Sequence, residues 1–217
     1  MNLAKRFFGH LRTVLTHKKE VAKICFKFGL YKQGIFHDMS KFSPTEFFSS
    51  VKYYQGNRSP IEAEKEDKGY SMAWAHHHNR NPHHWMYWLD YDRVNEPAPM
   101  RIPYKYAVEA IADWIGAGRA YCKNSKTEFT WDEPYEYYKR NTRVNSDENI
   151  DFQTRQLWDT MLVDLMLYGL DVVAIQVKNG VYEQIYNTPI DKDGNRVIYN
   201  LKEYNDLVIK YYTGDGK

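Results

Sequence analysis

Cysteine is scarce in this chain of 217 residues, with Cys25 and Cys122 the two present. Two distant thiols supply neither a disulfide framework nor a CxxC metal pattern, and a reducing cytoplasm is the expected compartment. Long apolar runs are also missing. No stretch approaches the roughly 18 apolar residues of a membrane span, and the N-terminal segment MNLAKRFFGHLRTVLTHKKE is too polar and periodic for a signal peptide, so no membrane partner is expected. Charge of one sign is not in excess. A formal net charge of +2 argues against an extended nucleic-acid surface and leaves room for a local basic patch. Internal repeats, low-complexity segments and a clear domain boundary are absent, so residues 1–217 read as a single domain long enough to bury a core. All eight histidines lie before residue 85, which suits one localised site better than scattered surface use.

What is plentiful is aromatic. Nineteen tyrosines help bring the aromatic share to 16%, and so many rings more often build a thick core with polar edges than a base-stacking surface. The most informative stretch is Phe36-His37-Asp38-Met39-Ser40-Lys41. An imidazole nitrogen and a carboxylate oxygen are both ligands that a divalent first-row metal accepts. Neighbours on a helix diverge by roughly 100°. The pair therefore needs a backbone lying close to the ion and further ligands from other helices.

Candidates for those ligands follow from the helical pattern. Over residues 3–28, Phe7, Leu11, Val14, Val21, Ile24 and Phe28 recur at three- and four-residue steps, and Gly29 reads as a C-terminal cap. His10 and His17 share that apolar side; His10 reads as a core histidine bonded to a carbonyl, and His17, between Val14 and Val21, as a ligand candidate. Gly34 permits a turn into the His-Asp pair, and Ser43-Pro44-Thr45-Glu46 reads as an N-cap with proline and an acid in the first turn of a helix over 44–55. Ile61 to Lys68 is a charged helical face.

Five histidines then fall within nine residues, at His76, His77, His78, His83 and His84. Asn81-Pro82 predicts a new helix there, with His83 and His84 in its first turn, where the dipole favours the neutral, metal-binding ring. Flanking Trp74, Trp85, Tyr87 and Trp88 argue against a solvated tract. A helix over 103–121 has an apolar stripe opposite a side of mostly small residues, and Asp113 on the small side needs a partner because a lone buried carboxylate is costly. A metal would serve; Arg119 lies on the far side. Residues 124–147 are polar and tyrosine-rich, with a helix start at Trp131 to Pro134. A long helix covers 150–178, with Asp164 in a capping or ion-pair role. Val181 to Asn200 reads as a small β-hairpin turning at Asp193-Gly194, and 201–212 as a short helix. The Asp191 to Asn195 run lacks the glutamate and spacing of a calcium loop.

The ordered set His17, His37-Asp38, the interior histidines and Asp113 resembles the HD-domain superfamily of metal-dependent phosphohydrolases, over about residues 5–121. The surroundings of His37-Asp38 and of Asn81 to Trp85 are also similar to uncharacterised bacterial and phage proteins of this kind. The resemblance implies an all-α, HD-domain-like helical bundle followed by a helical extension over about 122–217. It implies His17, His37, Asp38 and Asp113 as metal ligands, joined by His76 or His77 and by His83 or His84. It further implies Asp38 and Lys41 as catalytic residues, with Lys41 facing substrate phosphate.

The expected cofactor is one or two divalent transition-metal ions, Mn, Fe, Co, Ni or Zn. The expected activity is hydrolysis of a phosphate ester, most naturally a nucleotide, with Arg80 or Arg119 as helpers and Trp85 or Trp74 stacking on the base. Two other readings use the same residues: a di-iron oxygenase of the same superfamily, and a non-catalytic, metal-stabilised binding protein. A homo-oligomer is compatible with all three.

Overall fold

A computed structural model describes residues 1–91, 98–142 and 149–188, and they form an all-α fold. The first helix, α1 (Leu3–Lys27), begins at Asn2, whose side chain accepts the Lys5 N–H. It ends where Gly29 takes φ 78°, a conformation cheap only for glycine. Its stripe of Val14, Val21, Ile24 and Cys25 is buried, as the three- and four-residue spacing requires.

Next comes α2 (Tyr31–Phe36), which holds Gly34 inside a helix rather than in the expected turn. A side chain there would press on Cys25 and Phe26, so Gly34 serves the close approach of α2 to α1. A 3-10 turn, Met39–Phe42, leads to α3 (Pro44–Tyr53), capped by Ser43 as the SPTE string predicts. Two short helices, α4 (Pro60–Lys68) and α5 (Met72–His78), return the chain towards α3.

The helix expected from Pro82 does not form; His83 and His84 lie in a turn closed by His84 N–H to Asn81 C=O, and a 3-10 turn covers Trp85–Trp88. Asn81 is instead spent on its surroundings, donating its side-chain amide to His77 C=O at 2.7 Å and to Ser40 at 2.7 Å. Two two-residue strands, β1 (Leu89–Asp90) and β2 (Ala98–Pro99), pair antiparallel with Leu89 opposite Pro99.

The central helix is α6 (Tyr104–Ser125), which lies along α1 with its small residues inward. At Gly116 a Cβ would fall 2.8 Å from the Val21 backbone nitrogen, so the two helix backbones touch where the small-residue side predicted close approach. Beyond α7 (Glu133–Thr142), the long α8 (Phe152–Lys178) completes the core; Trp158 is fully buried and donates its indole N–H to Ala107 C=O. Contrary to the expectation that no stretch approaches a membrane span, this helix is by length and composition apolar enough to cross one, and half of its most apolar window is buried in the core. Gly169, at φ 77°, breaks its course.

The last described helix, α9 (Val181–Asn187), occupies the start of the expected hairpin. Val181, Tyr182, Ile185 and Tyr186 repeat at helical spacing, and three of them are buried, which decides against alternation. Asp164 accepts the Tyr182 hydroxyl at 2.8 Å, and among the described residues it forms no ion pair and caps no helix. The Asp193-Gly194 turn, the Asp191 to Asn195 run and the helix expected over 201–212 lie outside the described residues.

Candidate metal centre

The His37-Asp38 pair works because the chain leaves helical geometry at that point. His37 closes α2 at φ −50°, ψ 129°, and Asp38 follows in the left-handed region at φ 54°, ψ 29°. Such a conformation is uncommon outside glycine, and aspartate is among the residues that tolerate it. It turns two adjacent side chains to one place, which a helix would not do. Lys18, which the sequence pattern did not single out, holds the bend: its ammonium donates to Ile35 C=O and His37 C=O, each at 2.7 Å.

Asp38 is buried at the meeting point. Its Oδ2 lies 3.2 Å from His17 Nε2, 3.4 Å from His37 Nε2 and 2.6 Å from Lys41 Nζ. Its Oδ1 faces the opposite way, 3.4 Å from His77 Nε2 and 3.5 Å from His83 Nε2. Asp113, from α6, meets His17 Nε2 at 3.1 Å and His37 Nε2 at 3.2 Å. The ligand atoms fall into two groups that share Asp38: His17, His37, Asp38 and Asp113 in one, and Asp38, His77, His83 and His84 in the other. Each is a set of nitrogen and carboxylate donors that could hold a metal ion.

The far side of three of these imidazoles, His37, His77 and His83, is held by acids that the sequence reading missed. Glu109, one helical turn before Asp113, lies 2.9 Å from His37 Nδ1 and 3.4 Å from His83 Nδ1. Glu46 lies 2.9 Å from His77 Nδ1 and 2.6 Å from His76 Nδ1. Carboxylates on Nδ1 leave Nε2 free to ligate and fix the ring orientation, the usual outer support of a metal-binding histidine. The grouping of His37, His83 and Glu109 is therefore best read as this support and not as a third site. Three buried atoms facing the second group, Asp38 Oδ1, His83 Nε2 and His84 Nε2, have no hydrogen-bond partner. Buried polar atoms are rarely left so, and a cation among them would satisfy all three.

Electrostatics follow the geometry. Burial opposes charge on His37, but Asp38 beside it and the hydrogen bonds of Asp113 and Glu109 win and raise its pKa to about 10. Burial likewise opposes charge on Asp38 and Asp113, and is outweighed for Asp38 by His37 and Lys41, and for Asp113 by His17 and His37; both carboxyls lie well below their ordinary range. Burial, reinforced by His83 and His77, drives His84 well down, so its ring is neutral.

Several expectations are revised. His76 is not brought into either ligand group; Glu46 takes its Nδ1, and His83 joins the group in its place. Trp85 packs half-buried against the core. Trp74 instead backs the histidines, its ring 5.0 Å from His84 and 5.8 Å from His77. Arg80 is exposed after the end of α5, and Arg119 lies over the rings of Phe129 and Trp131.

His10 stays outside the cluster as expected, but packed between Phe47 and Tyr54 with no hydrogen bond to its Nδ1. Burial, aided by Lys41, lowers its pKa from 6.5 to about 4. A histidine whose pKa falls on folding binds fewer protons in the native state, so its contribution lowers stability as pH falls from 6.5 towards 4. In His10→Phe, urea unfolding followed across that window should show a shallower loss than the parent chain, by on the order of 2–3 kcal/mol. Equal slopes would mean that His10 is protonated in the native protein.

With the geometry in hand, comparison with known proteins adds one result. The family profile of DUF5662 matches residues 6–161. The chain belongs to DUF5662, a family of unknown function. The matched span contains every residue of both ligand groups and their supporting glutamates, so the cluster lies within the part that defines the family. No curated protein and no solved structure matches the chain.

Proposed function

We propose that this protein is a metal-dependent phosphohydrolase acting on a phosphate ester, with a nucleotide as the substrate class. The observation that carries the reading is the double use of Asp38: one carboxylate faces two ligand groups, with its Oδ1 and two imidazole nitrogens buried and unpartnered. Such a set suits two divalent transition-metal ions, Mn, Fe, Co, Ni or Zn, and serves equally with one. When bound, such ions withdraw charge from a phosphoryl group and make water a competent nucleophile at neutral pH.

The chain's own residues supply the rest. His17, His37 and Asp113 would hold the first position, and His77, His83 and His84 the second, with Asp38 common to both. Lys41, whose side chain keeps 27% of its accessibility while its ammonium contacts Asp38, is placed to take a phosphate oxygen. Glu109 and Glu46 keep the rings aimed. The resemblance to the HD-domain superfamily supports the same assignment.

The histidine-rich ligand set also favours, as a second reading, a di-iron site that activates dioxygen. The two are separated by assaying the metal-loaded full chain: phosphate release from nucleoside monophosphates with Mn²⁺ or Co²⁺ supports hydrolysis. Iron content with oxygen uptake and no phosphate release would replace it with oxidation.

A further inference from the structure

A cavity of about 520 Å³ lies apart from the metal centre, lined by Lys23, Lys27, Arg119 and Lys178 together with Ile24 and Phe26. It shares no residue with either ligand group, and no acidic side chain lines it. Its position follows from helix geometry. Arg119 stands six residues after the ligand Asp113 on α6, and Lys23 six after His17 on α1. Six residues turn a helix through about 600° and advance it by about 9 Å, so both cations leave the face that carries the ligands. Lys27 and Lys178 are the last residues of α1 and α8, whose ends meet: a Cβ on Gly29 would lie 3.8 Å from Lys178 Cγ.

Ordinary structural roles account for part of this charge. A lysine in the last turn of a helix offsets the dipole, which serves Lys27 and Lys178. Lys27 is also paired with Asp171, and Lys23 with Glu20 at 2.9 Å. Glu20 is already shared with Lys123 at 2.6 Å. With Lys123 included, two acids thus stand against five cations, a surplus of three. Arg119 and Lys178 form no ion pair among the described residues. The Arg119 guanidinium is half-buried and lies 5.3 Å and 5.2 Å over the rings of Phe129 and Trp131. Those rings hold a fork that matches phosphate oxygens two at a time, and an anion would relieve the cost of its burial without a partner.

We propose that this cavity binds a chain of linked phosphates, with Arg119 as the fork and Lys23, Lys27 and Lys178 as point charges around it. The surplus of positive charge matches an anion carrying three or more negative charges better than a singly charged one. The volume falls within the roughly 300–1,000 Å³ of small-molecule sites. Ile24 and the exposed Phe26 supply an apolar floor on which a base attached to the chain would rest. Arg119, expected as a helper in catalysis, takes this role instead. The site goes beyond the phosphohydrolase reading and does not depend on it, because neither Lys41 nor a metal ligand takes part.

The test is calorimetric titration of the full chain, without added divalent ions, with inorganic tripolyphosphate, orthophosphate and adenosine triphosphate. Tripolyphosphate should bind at least about tenfold more tightly than orthophosphate. Arg119→Gln and Lys178→Gln should each weaken it by on the order of tenfold, the worth of one charge-assisted hydrogen bond. Asp38→Asn, which dismantles the metal centre, should leave the affinity unchanged, as should Lys65→Gln, which removes a comparably accessible charge elsewhere. Tighter binding of adenosine triphosphate, with the advantage lost in Phe26→Ala, identifies a nucleotide as the source of the chain; equal or weaker binding identifies free polyphosphate. Absence of saturable tripolyphosphate binding would overturn the proposal. So would a loss in Asp38→Asn in place of Arg119→Gln, or an equal loss in Lys65→Gln. Should Arg119→Gln not fold, the exposed Lys178→Gln decides alone. Failure here leaves the phosphohydrolase reading standing, since that rests on metal uptake and phosphate release.

Discussion

Asp38→Ala protein should take up no metal under conditions that load the parent chain and should release no phosphate. Asp38 is the one residue common to both ligand groups, its two oxygens facing opposite ways. Removing it takes a ligand from each position at once. Outer partners of metal-binding residues are worth roughly 10–100-fold in affinity, and loss of a shared ligand should exceed that. Alanine also sits poorly at φ 54°, so a general loss of stability could be mistaken for a loss of ligand. Asp38→Asn separates the two. Asparagine tolerates the left-handed region and keeps the shape while losing the charge. Elemental analysis of both variants, with circular dichroism to confirm helicity, is the measurement. Metal retained at the parent level in folded Asp38→Asn would sink the assignment.

Glu109→Gln should weaken metal binding by about 10–100-fold while the helical fold persists. One carboxylate of Glu109 serves Nδ1 of both His37 and His83, rings whose Nε2 atoms face different ligand groups. An amide keeps the volume but can turn its NH₂ towards Nδ1, which would favour the tautomer that protonates Nε2 and closes it to a cation. Glu46→Gln touches the ligand histidine His77 alone, together with His76 outside the groups, so its effect should be smaller. Competition against a chromophoric chelator would read both. Unchanged affinity in Glu109→Gln would reduce that residue to a structural partner of buried rings.

Much of this architecture is legible in the one-dimensional pattern. The stripe of α1, the capped start of α3 at Ser43, the end of α5 at His78 and the small side of α6 all rest on local periodicity and capping, which short stretches of chain carry in themselves. The helical reading of 181–187 is equally present in its spacing, but the Asp193-Gly194 turn signal points to a hairpin. The errors near the cluster have a different origin. His83 and His84 would diverge by roughly 100° in the helix expected from Pro82. In the observed turn their rings lie 4.2 Å apart.

The choice between His76 and His77, and the discovery of Glu46 and Glu109, depended on which groups α3 and α6 present to α5 and to the turn after it. A spacing of four from Glu109 to Asp113 was the available signal for the first of these acids, since both must then share a face. Glu46 was masked by its reading as a capping acid. Its backbone N–H does bond to the Ser43 cap, while its carboxylate reaches across to two histidines.

Local chemistry alone thus determined that this is a helical protein and that its imidazoles and acids are concentrated where a cation could be held. Packing decided which of them meet, because ligation needs atoms within a few ångströms, and side chains distant in the chain reach that range only when α1, α5 and α6 are in place. The left-handed turn at Asp38 is itself such a product: Lys18 of α1 grips the carbonyls on either side of Phe36 and holds open a conformation that the local residues would seldom adopt unaided.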